Sequence, residues 1–158
     1  MSEIEPIRVS VRVDADAERA FMVFTERLDT WWPLELHSRA VEDVEGEGLK
    51  AERVVFEGRV GGRVFEHLSD GRVLPWAEVL AWDPPTRFVL AWKPNSTPLP
   101  PTELEVRFTP EGGGTLVELE HRGWEVLGEI AEQTRAGYGG GWLKTLEIYE
   151  QAIQKEVA

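Results

Sequence analysis

Apolar Ile7, Val9, Val11 and Val13 alternate with Arg8, Ser10 and Arg12, the period-two signature of a half-buried strand. The period then lengthens. Ala17, Ala20, Phe21, Phe24 and Leu28 recur every three or four residues, which predicts an amphipathic helix over 15–27. Asp14 or Asp16 supplies its cap, and Glu18 its first-turn negative charge. A short turn through Trp31 and Trp32 is stopped by Pro33, and residues 49–57 form the next strand. Residues 61–94 then read as three consecutive antiparallel strands. Ser69-Asp70-Gly71 reverses the chain once, and Asp83-Pro84-Pro85-Thr86, with two fixed φ angles and two missing N–H donors, reverses it again. Leu104, Val106 and Phe108 alternate with Glu103, Glu105 and Arg107 in a further strand. After the turn Pro110–Gly114, the last strand places Val117, Leu119 and His121 on one face.

The C-terminal segment is helical. Tyr138, Trp142, Leu146, Tyr149 and Ile153 step by three or four and share one stripe. Gly137, Gly139, Gly140 and Gly141 fall where each costs a helix about 1 kcal/mol relative to Ala. They are expected at or before the first turn of the main helix, with a shorter helix over 125–136 broken from it there. A long helix must bury its stripe, and the apolar surface available to it is the concave face of the sheet. The expected fold is α+β of the helix-grip kind: a curved antiparallel sheet of six or seven strands wrapped on a long C-terminal helix, with short helices after the first strand. Residues 1–158 are read as one domain.

Composition narrows the function classes. The net charge of -12, from 29 acidic and 17 basic residues, would repel a phosphate backbone, and no basic stripe offsets it, so no nucleic-acid partner is expected. No apolar run approaches a membrane span, and the acidic start lacks a signal-peptide core, so the expectation is a cytoplasmic protein without membrane insertion. There is no cysteine, hence no disulfide, thiolate ligand or thiol nucleophile. His37, His67 and His121 lack carboxylate partners at metal-ligand spacing, and no dinucleotide or phosphate-loop fingerprint occurs, so neither a metal nor a cofactor is expected.

Seven tryptophans need a place. Trp31, Trp32, Trp76, Phe88, Trp92, Tyr138 and Trp142 either fill the space between sheet and helix as core or line a cavity that stacks on a flat apolar ligand. Leu90 and Leu146 complete the apolar candidates. Arg53, Glu57, Arg63, Glu66, Glu78 and His121 are the polar groups within or beside strands. His121 faces inward by strand parity, either as a ligand or acid–base group or as a core imidazole satisfied by a neighbour. Glu78 shares the parity of Trp76 and Leu80, and is the candidate carboxylate beside it, with Glu66 as the other.

The order of these elements, Trp31-Trp32-Pro33, Gly61-Gly62-Arg63 with Glu66 before Asp70-Gly71, the 76–79 strand, Pro84-Pro85, the 88–92 strand and the Gly-preceded Trp142 with Leu146 together resemble one family. It is the activator of heat-shock-protein-90 ATPase homologue-like branch of the START-like (SRPBCC, Bet v-like) superfamily. The resemblance runs from Ile7 to Ile153 and implies the helix-grip fold, in a superfamily of lipid carriers, aromatases and cyclases, and cochaperone domains. Three functions are therefore carried forward. The first is a small-molecule-binding domain with an apolar or aromatic ligand. The second is a cyclase/aromatase- or hydrolase-like enzyme using a His121–Glu pair. The third is a protein-interaction or cochaperone-type module working through the acidic loop 37–48 or the Pro-rich loop 93–101. Oligomeric state and ligand identity stay open.

Overall fold

The computed structural model of the protein describes residues 4–32, 51–93 and 99–157. The acidic loop 37–48, the stop at Pro33 and most of the Pro-rich loop lie outside these residues.

Seven strands form one antiparallel sheet: β1 (Ile7–Val13), β2 (Ala51–Phe56), β3 (Arg63–Leu68), β4 (Val73–Asp83), β5 (Arg87–Trp92), β6 (Thr102–Glu111) and β7 (Gly114–Arg122). Their spatial order, β1-β7-β6-β5-β4-β3-β2, is a six-strand meander with the first strand added beside the last. Helices α1 (Ala17–Thr25) and α2 (Leu28–Trp31) follow β1, and helix α3 (Ala131–Val157) closes the chain after a 3₁₀ segment, Trp124–Ile130. The helix-grip expectation holds.

Local chemistry accounts for the boundaries. Asp16, not Asp14, caps α1, accepting from the Arg19 backbone N–H at 2.8 Å. The α3 stripe is buried as its spacing requires: Trp142, Leu146, Tyr149 and Ile153 are buried, and Tyr138 is half-buried. The Tyr149 hydroxyl donates to the Ala20 carbonyl at 2.7 Å, tying α3 to α1.

The glycines behave differently from expectation. Helix α3 runs unbroken through Gly137–Gly141, and the break falls upstream at Gly128, whose φ of 61° and ψ of -125° are outside any helix. Packing of the stripe outweighs the propensity cost of the glycines, so they lie inside the helix rather than at its N-terminus.

At or beside each sheet edge one backbone group is engaged by a side chain. The outer N–H of Val54 in β2 donates to the Asp29 carboxylate at 2.8 Å, and Arg135 of α3 donates to the Glu5 carbonyl just before β1 at 2.6 Å. An edge strand engaged in this way is a poorer template for another chain.

Candidate functional site

Two aromatic zones fill the space between sheet and helices. Beneath α1, Phe21, Phe24, Phe88 and Phe108 pack edge-on or tilted, with centroids 5.1–6.1 Å apart. Trp31 joins this zone, 5.2 Å from Phe24 and from Tyr149, with its indole N–H donated to the Val23 carbonyl. Phe88 and Trp31 are therefore core here. Leu90 and Leu146 are also fully buried.

The second zone is a closed circuit of four indoles from four elements. Trp32, just past α2, lies 4.9 Å from Trp76 of β4. Trp76 lies 6.2 Å from Trp92 of β5, Trp92 lies 5.2 Å from Trp142 of α3, and Trp142 returns to Trp32 at 6.4 Å. Trp76, Trp92 and Trp142 are buried, whereas Trp32 is half-buried and forms the more open side. Tyr138, stacked on Trp142 at 5.9 Å, accepts the Trp92 indole N–H at 3.1 Å.

A β-bulge makes this circuit possible. Val64 pairs with Ala77 and Phe65 with Pro75, so Trp76 is the extra residue on β4. The bulge reverses parity at that point, and both Trp76 and Ala77 are buried. Strict alternation had put Glu78 on the same side as Trp76. That expectation is overturned: Glu78 is exposed, opposite Arg63, and Leu80, the residue skipped where Val79 pairs with Leu90 and Ala81 with Val89, is 44% exposed.

Glu66 faces inward instead. It is fully buried between Val64 and Leu68 in the β3 alternation, and Oε1 accepts the Trp76 indole N–H at 2.9 Å. Of the other strand polar groups, Arg53 and Arg63 are exposed, and half-buried Glu57 accepts from the Arg63 backbone N–H.

His121 is also fully buried, as its parity predicts, but both ring nitrogens are engaged. Nδ1 accepts the Trp142 indole N–H at 2.9 Å, and an indole can only donate. The ring proton is therefore on Nε2, which lies 2.6 Å from the Thr102 hydroxyl; that hydroxyl in turn donates to the Trp92 carbonyl at 3.3 Å. Burial lowers the imidazole pKa from 6.5 to about 3, so the ring is neutral. Trp124 closes over it, 4.0 Å away, with its N–H on the His121 carbonyl. His121 is a satisfied core imidazole. Glu78 is on the far side of the sheet, and Glu66 is four strand positions away, about 19 Å along the sheet. The expected acid–base pair does not form.

Thr102 and Trp124 carried no periodic signal in the sequence, and only the register of β6 against β7, Leu104 opposite His121, brings Thr102 near the imidazole.

The outer face of the sheet has a different chemistry. Glu105 on β6 is almost completely buried and receives Arg122 at 2.6 Å, Arg107 at 2.8 Å and Arg87 at 3.0 Å. Burial opposes its ionisation, but the guanidinium hydrogen bonds outweigh it and lower its pKa from 4.5 to about 2. Arg122 and Arg8 extend the lattice to Glu120 on β7. A groove of about 360 Å³ opens here among Arg8, Ser10, Glu105, Arg107, Glu118 and Glu120. Its Arg8, Glu105, Arg107 and Glu120 side chains already pair with one another or with Arg122 and Arg87. Among the described residues there is no cluster of side chains suited to a metal ion, and no helix is long and apolar enough to cross a membrane.

Residues 14–152 match the family described as activator of Hsp90 ATPase homolog 1-like protein. The chain belongs to that family. Among solved structures it is 34% identical to an anthrahydroquino-gamma-pyrone synthase, Txn09, solved as a complex; the match covers 96% of this chain and 99% of that one, with a TM-score of 0.62. It is 27% identical to the self-sacrificing resistance protein CalC from Micromonospora echinospora, over 96% of both chains, with a TM-score of 0.70. Protein MLL2253 from Mesorhizobium loti shares the fold at 20% identity, covering 96% of this chain and 98% of that chain, with a TM-score of 0.67. A comparison with curated protein sequences found no match.

Proposed function

We propose that this family member is a small-molecule-binding domain whose ligand is a flat, polycyclic aromatic compound held between the sheet and the N-terminal half of α3. The observation that carries this reading is the indole circuit of Trp32, Trp76, Trp92 and Trp142. Indole faces stack well on flat apolar rings. The indole N–H groups of Trp76, Trp92 and Trp142 are used within the protein, on Glu66, Tyr138 and His121, so their faces are what they offer to a ligand. Room on the helix side is supported by half-buried Gly141, where an added Cβ meets no heavy atom within 4 Å among the described residues. The 34% identity to a pyrone synthase, whose name describes a fused aromatic system, supports the ligand class. The absence of cysteine is in keeping with a reducing cytoplasm as the place of action.

Quenching of tryptophan fluorescence and thermal shift against anthraquinone, sterol and fatty-acid panels test the reading. Saturable quenching and a raised melting temperature with the anthraquinones are expected, weakened about tenfold in Trp32→Ala, which removes the half-buried side of the circuit. No response from any anthraquinone overturns it.

The same synthase relative favours a second reading, catalysis on such a compound. Both nitrogens of His121 are engaged and no carboxylate is beside it, so among the described inward-facing candidates a cyclase of this kind would work through Glu66. Conversion of a bound polyphenolic substrate that is abolished in Glu66→Gln would establish it. A protein-interaction role rests on loops that lie wholly (37–48) or mostly (93–101) outside the described residues.

A further inference from the structure

Resting on the ligand-binding reading, we infer that Thr102 and His121 are positioning residues of the site. Through one hydrogen-bonded loop they hold the Trp92 and Trp142 rings ready, so that a flat aromatic ligand meets faces already ordered. The loop leaves α3 and returns to it. Trp142 donates its indole N–H to His121 Nδ1 at 2.9 Å, His121 Nε2 meets the Thr102 hydroxyl at 2.6 Å, and that hydroxyl donates to the Trp92 carbonyl at 3.3 Å. From the other end of the same residue, the Trp92 indole N–H donates to the Tyr138 hydroxyl at 3.1 Å, back on α3. The path thus runs through β7, β6 and β5 in turn. One chemical fact fixes its direction. An indole nitrogen can only donate, so Nδ1 is bare, the ring proton is on Nε2, and the threonine hydrogen turns to the Trp92 carbonyl. Thr102 and His121 are 5% and 0% exposed, so they act on a ligand through the two indoles rather than by touching it.

Two contrasts assign the loop to the site and not to core filling alone. Beneath α1, Phe21, Phe24, Phe88 and Phe108 fill an equally buried zone with phenyl rings that carry no polar atom. Filling space in this fold therefore requires no imidazole and no hydroxyl. A fully satisfied polar network adds something else, a single orientation for each ring it holds. The second contrast is in α3. The loop's attachments there, Tyr138 and Trp142, bracket Gly139, Gly140 and Gly141, the turn with the weakest intrinsic helix preference at about 1 kcal/mol per glycine. Fastening that turn at both ends keeps the open space at Gly140 and Gly141 without losing the pose of Trp142. A ring that is ordered only on binding weakens affinity, and the loop removes that cost in advance.

Tryptophan-fluorescence titration with anthraflavic acid, a flat dihydroxyanthraquinone, tests it in the wild type, Thr102→Val, Thr102→Ser and Phe108→Leu. Valine leaves the His121 Nε2–H without its acceptor, and the tautomer that cures this buried orphan puts the proton on Nδ1, against the Trp142 N–H. The dissociation constant is expected to rise about tenfold in Thr102→Val and to stay within about twofold of the wild type in Thr102→Ser, which keeps the hydroxyl. Phe108→Leu, a core change beneath α1, should destabilise the fold yet also bind within about twofold. NMR of the indole N–H groups supplies a second readout. Solvent exchange at Trp142 Nε1 should be slow in the free wild type and unchanged by the probe, but about tenfold faster in free Thr102→Val and slowed again on binding. Exchange that only the probe slows in the wild type overturns the proposal, even should Thr102→Val fail to fold by circular dichroism. So does wild-type affinity in folded Thr102→Val, or an equal loss in Phe108→Leu; each leaves the ligand-binding reading intact. Failure of the wild type itself to bind the probe overturns both.

Discussion

His121 shows how much one side chain's surroundings decide. A histidine on an inward strand face invites an acid–base role, yet an indole N–H on one nitrogen and a threonine hydroxyl on the other make it a neutral hydrogen-bond hub. The consequence is measurable as pH dependence. The unfolded chain takes up a proton near the ordinary value of 6.5, whereas the folded imidazole resists until about 3. The folded pKa is depressed, so this contribution is fully present above pH 6.5 and is lost as pH falls towards 3. His121→Gln should be about 1–3 kcal/mol less stable than wild type at neutral pH, because buried partners lose geometry. Below pH 6.5 the gap should narrow by about 1.4 kcal/mol for each pH unit, and reverse before pH 3 is reached. Urea titrations of both proteins across this range check it, and a gap independent of pH would refute the assignment.

At the scale of elements, helix α3 and strand β4 both depart from their simplest patterns, for opposite reasons. In α3 the apolar stripe was legible because burial enforces a period of 3.6. The glycines misled because local propensity, about 1 kcal/mol per residue, is smaller than the packing of Trp142, Leu146, Tyr149 and Ile153. Gly140 is exposed and a Cβ there meets nothing within 4 Å among the described residues, so Gly140→Ala should stabilise the fold by about 0.5–1 kcal/mol without affecting ligand binding. Gly141→Ala should stabilise similarly but weaken the aromatic ligand, since Gly141 flanks Trp142 on the half-buried side. Melting curves paired with fluorescence titration separate the two, and equal binding by both variants would remove Gly141 from the site. In β4 the alternation was legible on either side of Trp76 but not across it. A bulge depends on the partner strand's register, which β4 alone does not encode.

Across the whole molecule, the two faces of the sheet divide the labour: aromatic packing inside, an ion-pair lattice outside. Glu105, almost completely buried beneath three arginines, ties β5, β6 and β7 together. Its pKa is lowered from 4.5 to about 2, so its contribution is present above pH 4.5 and is lost as pH falls through about 2. Glu105→Gln should lower stability at neutral pH by about 2–3 kcal/mol, roughly 5–10 °C in melting temperature, and should lack the acid loss that wild type shows in that window. Identical acid profiles would mean that solvent screening has cancelled the lattice.

The chain's periodicities, turn residues and composition by themselves determined the element order, the sheet-on-helix architecture, the family resemblance, and the inward position of His121 and of the α3 stripe. Burial acts on every second strand residue and every third or fourth helical one, and so leaves a local record. The tertiary structure alone decided which aromatics meet, which oxygen holds which N–H, and that Glu66 rather than Glu78 enters the interior. Those outcomes depend on register between strands and on a bulge, which arise from pairings distant in sequence and leave no period behind.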